Sequence, residues 1–345
     1  MPMRYSVKIA ALLLMVVVFP PLAFGLTIPA LCYHQVVPNA KGLFEITPDT
    51  FREQLSILKA RGYTSVNSQK FLDIISGKSV QYQRPILLTF DDGYKSVFDY
   101  ALPIMKEFGF VGVACIYPQF IGCGNSMSWN DLRRLASEGW TIECHSYSHI
   151  NFGKIPGNES QKRAILDREI SRSKQIMEEQ LGKSVLLYVW PYGIYTEETE
   201  EFARKAGYIG ALTVDGGCNY TSIDPFRIKR QVIYRTDNQE KFLIRLEMGG
   251  LKVTESTPKP GEVLESLTTV ACVLPELYDY SPQKYILNAK VTGGVLNFQF
   301  DAATRRLSAK VAGSLKEGQH FIDVYLRDKA TGITCQNGWL FTIKK

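Results

Sequence analysis

Two pairs of residues could do chemistry together. Asp91 and Asp92 close the apolar run Ile86-Leu-Leu-Thr-Phe90, and His145 and His149 stand four apart in Glu143-Cys-His-Ser-Tyr-Ser-His149. One aspartate and two histidines make a three-ligand set that leaves a coordination position open for water, which is what a hydrolytic zinc site requires. Two neighbouring aspartates rarely play the same part, because a ligating carboxylate is held ionised by the cation and the other is left free to take a proton from water. A third stretch, Val189-Trp190-Pro191-Tyr192-Gly193, follows another apolar run, and its turn could aim the Tyr192 backbone N–H at an oxyanion. Each stretch also has a plainer reading. Asp-Asp-Gly is good turn sequence, a histidine pair is often two satisfied polar residues, and Trp-Pro-Tyr-Gly could be an ordinary loop carrying core aromatics. What favours chemistry is context: of only four histidines, three (His34, His145 and His149) follow strand-like runs.

The elements that must position these groups read as alternating strands and helices. Pro85 opens the run before Asp91, the run is too short for a helix, and unbroken apolar sequence marks a strand buried on both faces. Its carboxylates then lie at the carboxyl end of a parallel sheet, where loops converge on ligands. About seven such units precede residue 250, including a charged helix over 160–181, and favour a distorted (β/α) barrel over an open sheet. The residues between Lys162 and Lys174 alternate in charge and read as a solvated helix face. Beyond residue 250 the pattern changes to short strands separated by Gly-rich turns, a small all-β sandwich of immunoglobulin-like type. The expected organisation is a signal peptide over 1–25, a catalytic domain over 26–250, a Pro/Gly-rich linker over 251–262 and the sandwich over 263–345.

In that order and on strand ends, Thr89-Phe90-Asp91-Asp92-Gly93, His145-Ser146-x-Ser148-His149 and Pro191-Tyr192-Gly193 resemble the polysaccharide deacetylases, the NodB-homology or carbohydrate esterase family four, over about residues 26–248. The resemblance implies a divalent metal, usually zinc, and hydrolysis of N-acetyl groups on amino-sugar polymers. It makes Asp91 the general base, Asp92, His145 and His149 the metal ligands, and the Tyr192 N–H part of the oxyanion hole. Two positions depart from the family pattern. Val189 stands where most members have an arginine bracing the base, and Arg230 is the expected substitute. No histidine lies between His149 and His320, so the usual late acid is missing.

His34, in Leu31-Cys-Tyr-His34, resembles a branch in which the acid motif has moved to the N-terminus, a branch that includes exported deacetylases of poly-N-acetylglucosamine. The chemistry agrees, since a departing amine must be protonated and histidine is poised to do so near neutral pH. A buried structural histidine is the plainer reading. Asp215 or Asp224 could orient His34, and the sequence does not choose. Trp190, Tyr94 and Arg230 are candidates to touch substrate, although aromatics are more often core.

The first residues carry Arg4 and Lys8, an apolar run over 9–19 and the small-residue pattern Ala23-Phe-Gly25. This is signal-peptide architecture, which implies export to the periplasm or beyond, with an uncleaved anchor at the cell envelope as the alternative. The formal charge of +6 falls by two without that segment, too small a surplus to argue for nucleic acid. Seven cysteines in an exported chain permit disulfides, and Cys272 with Cys335 is the expected bridge. The reading is therefore an exported, monomeric, metal-dependent N-deacetylase acting on an N-acetylated polysaccharide. An O-acetyl esterase acting on xylan-type polymers and an inactive glycan-binding protein are the alternatives.

Overall fold

The protein is described by a computed structural model over residues 27–78, 82–276 and 278–345. The expected signal peptide lies outside these residues. No helix among them is long and apolar enough to cross a membrane.

Eight parallel strands build the first layer: β1 (Ala30–Tyr33), β2 (Thr64–Ser65), β3 (Pro85–Asp92), β4 (Val113–Ile116), β5 (Thr141–Cys144), β6 (Leu187–Val189), β7 (Gly210–Leu212) and β8 (Gln231–Val232). Seven of them run in the order β7-β6-β5-β4-β3-β1-β8, while β2 pairs only with the first residues of β3. The segment before β8 completes the circuit, because Ile228 bridges Leu212 of β7 while Gln231 and Val232 pair with β1. The result is a distorted (β/α) barrel. Its strands are buried on both faces, as the Leu/Ile/Phe run of β3 requires: seven of its eight residues are buried. Helices cover the outside and start where caps allow. Thr47 accepts from the Thr50 N–H ahead of Pro48, and Ser128 and Asp131 form a capping box.

The helix expected over 160–181 is interrupted. It runs as Glu159–Leu166, a π-helical turn Asp167–Arg172, and Ser173–Leu181.

The sandwich is built from β9 (Gly249–Gly250), β10 (Thr254–Thr257), β11 (Val263–Leu264), β12 (Thr269–Val273), β13 (Tyr285–Val291), β14 (Val295–Asp301), β15 (Arg306–Ala312), β16 (Gly318–Asp328) and β17 (Thr334–Ile343). One sheet has the order β9-β17-β16-β13 with β11 also on β17, and the other β10-β12-β15-β14. The stretch 251–262 is thus not a free linker. Thr254-Glu-Ser-Thr257 pairs with β12 through a register shift, and Gly261 donates its N–H to Leu340 O. The Pro and Gly residues there shape turns within the fold.

β17 explains how the two layers dock. Trp339, Phe341 and Ile343 face the sandwich core, whereas Leu340, between them, is part of the barrel core. Polar contacts reinforce the seam: Lys229 Nζ donates to Gly338 O at 2.5 Å, and Gly338 N to Gly216 O at 2.8 Å. Cys272 and Cys335, expected to be bridged, are both free. They sit on β12 and β17, in opposite sheets, and each thiol packs in the sandwich core as a small apolar group.

Candidate active site

The carboxyl ends of β3 and β5 bring the two predicted pairs together. Asp92 Oδ1 lies 3.3 Å from His149 Nε2 and 3.7 Å from His145 Nε2. One donor atom from each of Asp92, His145 and His149 falls within 4.8 Å of the others. His145 Nδ1 is 2.9 Å from Val189 O. A carbonyl only accepts, so the proton is on Nδ1 and the Nε2 lone pair points at Asp92. The loop between the histidines and its neighbours are tightly wound: of eight non-glycine residues with positive φ among the described residues, four are Asp92, Ser146, His149 and Tyr192. Such conformations persist only where the surroundings hold them, and they gather at working sites.

The electrostatics suit a cation. Burial pushes the His145 imidazole down to about 3 and lowers His149 as well, so both imidazoles are neutral near neutral pH. Burial, with the charge of Asp91 beside it, pushes Asp92 up to about 6. No lysine or arginine pairs with Asp92 among the described residues; its ion-pair neighbours are the two imidazoles. A half-buried carboxylate next to two imidazole lone pairs is a donor set that a divalent cation satisfies and that no side chain among the described residues does.

Asp91 is held differently. Arg230 Nη1 donates to its Oδ1 at 2.6 Å and Nη2 to its Oδ2 at 2.9 Å, while Nε is tied to Thr213 O. Burial raises the Asp91 carboxyl, but Arg230, with His145, more than offsets it, and the group sits well below the usual carboxylate range. Arg230 is 2% exposed. It is therefore a brace inside the barrel and cannot also touch substrate, as one expectation had it.

His34 follows β1 on the Asp91 side. A ring nitrogen of His34, the Cys32 thiol and an Asp91 oxygen lie within 4.8 Å of one another. His34 stacks on Phe44, with ring centroids 4.6 Å apart, and its Nδ1 is buried without a hydrogen-bond partner. Neither expected acid orients it. Asp215 Oδ2 accepts from Tyr195 OH at 2.7 Å at the seam with the sandwich, and Asp224 caps Phe226 and pairs with Arg204 on the surface. Both carboxylates follow β7, where the chain turns towards the sandwich.

Tyr192 is 59% exposed, with φ at 59° and its ring edge-on to His149 at 4.6 Å. Tyr94 is half-buried and packs edge-on against Phe120. Trp190, expected at the substrate, is fully buried in the barrel core against Tyr188 and Phe152. It lies on the other side of the turn from Tyr192. The fourth histidine, His320, has both ring nitrogens at backbone carbonyls of the sandwich.

Residues 78–211 match the family model described as polysaccharide deacetylase. Over that stretch the barrel is similar to the polysaccharide deacetylases. Similar proteins include Bacillus subtilis YxkH, whose name assigns it to the polysaccharide deacetylases, 23% identical over 190 residues that cover 55% of this chain and 65% of that protein. Another is a poly-beta-1,6-N-acetyl-D-glucosamine N-deacetylase of Staphylococcus epidermidis, 21% identical over 200 residues, with 55% and 68% covered. This chain thus spans about two thirds of the length of these curated relatives. The solved structure of the Streptococcus pyogenes deacetylase PplD in complex with acetate shares the fold at a TM-score of 0.59 and 20% identity, over 65% of this chain and 99% of that one.

The matched stretch contains Asp91, Asp92, His145, His149 and Tyr192 but stops short of His34 and Arg230. Sequence reasoning missed one further group. Glu169, read as part of a solvated face, is fully buried beneath the His145–His149 loop and accepts from the backbone of Tyr147 and Ser148. A signal existed, because Leu166, Ile170, Ser173 and Met177 mark a buried stripe at helical spacing and Glu169 falls on its edge.

Proposed function

We propose that this chain is an exported, metal-dependent hydrolase that removes N-acetyl groups from an amino-sugar polysaccharide of the poly-N-acetylglucosamine kind. The observation that carries this reading is the convergence of Asp92, His145 and His149 on one point, beside an Asp91 locked by Arg230. Asp92 Oδ1 and the two Nε2 atoms would hold the cation, zinc first among candidates. Such an ion supplies Lewis-acid polarisation of the carbonyl and lowers the pKa of water it binds.

The chain's own groups do the rest. Asp91, ionised across any working pH, accepts the proton of the attacking water while Arg230 keeps both its oxygens oriented. The Tyr192 N–H donates to the oxygen that gains charge as the carbonyl carbon becomes tetrahedral. His34 gives a proton to the nitrogen as the C–N bond breaks, so the products are acetate and a free amine. Tyr94 and the exposed Tyr192 ring offer aromatic surface to the sugar at the mouth.

The basic and apolar start of the sequence supports export, and the names of the staphylococcal relatives support the substrate class. In this reading the catalytic barrel ends before Gly249 and the sandwich begins there. The test is acetate release by the purified chain from N-acetylglucosamine oligomers and from O-acetylated xylo-oligosaccharides, side by side. Release mainly from the N-acetylated substrate, lost in Asp91→Asn, supports the assignment. Predominant O-deacetylation, or release from neither, overturns it.

A further inference from the structure

The loop carrying His145 and His149 is not self-supporting. Between the two histidines, Tyr147 and Ser148 turn their backbone N–H groups inward onto Glu169 Oε2 at 3.1 and 2.9 Å, and Ser148 Oγ donates to Oε1 at 2.8 Å. Three donors from two consecutive residues therefore end on one carboxylate. Arg168 closes the other side of Oε1 with Nε at 3.1 Å and Nη2 at 2.8 Å. Glu169 is fully buried, and a buried carboxylate persists only where its acceptors are filled this way.

The helix is altered to put it there. Asp167–Arg172 is a π turn, in which backbone bonds skip an extra residue and leave carbonyls without their usual partners. The carbonyls concerned are taken by side chains. Tyr188 OH donates to Glu169 O at 3.2 Å and Tyr208 OH to Ile170 O at 3.1 Å, and Ser173 Oγ reaches both. Tyr188 lies on β6, the strand whose Val189 carbonyl fixes His145 Nδ1. One rigid block therefore carries the fixing group of the first histidine and the strut under the loop that leads to the second.

We propose that Glu169 is a positioning residue for the cation held by Asp92, His145 and His149: it holds the intervening loop so that both Nε2 lone pairs meet one point. The proposal rests on the metal-centre reading above. Glu169 touches neither substrate nor cation. Its effect is exerted through the backbone of Tyr147 and Ser148, which lies between the two positive-φ residues Ser146 and His149.

The test is zinc affinity of the full chain, measured by competition with a chromogenic chelator, for wild type, Glu169→Gln, Glu169→Ala and Ser148→Ala, with the fold of each metal-free protein followed by circular dichroism. Loss of a group that orients a metal ligand costs about 10–100-fold in affinity, and that loss is expected for Glu169→Ala. Glu169→Gln, which keeps one acceptor oxygen, and Ser148→Ala, which removes one donor, should fall between it and wild type. The kcat lost by Glu169→Gln at limiting zinc should return as zinc is raised, with KM for the oligosaccharide unchanged. Folded Glu169 variants that bind zinc as tightly as wild type overturn the proposal. If Glu169→Ala does not fold, unchanged affinity in both Glu169→Gln and Ser148→Ala overturns it equally. A wild-type chain that binds no zinc would instead remove the metal centre itself, together with this role.

Discussion

Arg230 grips both oxygens of Asp91, at 2.6 and 2.9 Å, from a position 139 residues further along the chain. The pairing links the two halves of the barrel circuit, since Asp91 is the penultimate residue of β3 and Arg230 sits in the segment that closes β7 onto β1. A planar fork fits a carboxylate in two places at once, which a lysine cannot do.

Removing that fork should therefore damage fold and rate together. Arg230→Met leaves Asp91 buried without its counter-charge, a change that costs about 3–5 kcal/mol in comparable pairs. Arg230→Lys keeps the charge and loses the second contact, so an intermediate loss of stability and of kcat is expected. Urea unfolding and acetate-release kinetics on the three proteins check this. Wild-type kcat in Arg230→Lys would show that two-point orientation of Asp91 is unimportant.

His34 can be isolated by the choice of leaving group. On an N-acetylated oligosaccharide, His34→Ala should lose about 10²–10⁴-fold in kcat, the usual range for general acid catalysis. On an aryl acetate, whose phenolate departs without a proton, the loss should be far smaller. Equal losses on both substrates would mean that His34 serves the structure rather than the departing amine.

Asp215 gives a pH signature remote from the site. Burial raises its carboxyl above the ordinary 3.8, against the opposing pull of Lys229 and the Tyr195 hydrogen bond. The folded state thus holds this proton more tightly than the unfolded one, so the group's contribution to stability falls as pH rises from about 3.8 to the raised value. Below that window it has no effect, and above it the penalty is complete. Asp215→Asn should flatten that part of the stability curve, as measured by denaturant unfolding at steps from pH 4 to 7. An unchanged slope would place the carboxyl at its ordinary value.

Trp190 separates core from substrate contact. Fully buried among Tyr188, Phe152 and Tyr195, it should cost about 3–5 kcal/mol on truncation to alanine. KM measured at a temperature where the variant is folded should match that of wild type. A raised KM with unchanged stability would return Trp190 to the binding surface.

The parts legible in the sequence were those carried by local pattern. The apolar run before Asp91, the four-residue spacing of His145 and His149 and the alternating strands of the sandwich each appear where periodicity places them. What escaped depends on contacts between distant segments. Trp190 is fully buried while Tyr192, two residues on and at positive φ, is exposed, a difference that no local pattern encodes. The sequence could not choose between Asp215 and Asp224 as partners of His34, and the chain there turns away to bond Tyr195 and Arg204 instead. Glu169 was hidden by its charged neighbours and by a π turn that shifts the helical phase. The stretch 251–262 has linker composition, yet β12 and β17 give its backbone partners.

The most direct measurement is the anomalous scattering of a crystal grown with zinc. The expected result is one strong peak bonded to Asp92 Oδ1, His145 Nε2 and His149 Nε2 at about 2.0–2.2 Å. A peak elsewhere, or ordered protein with none at that point, would contradict the assignment of these three residues to a single cation.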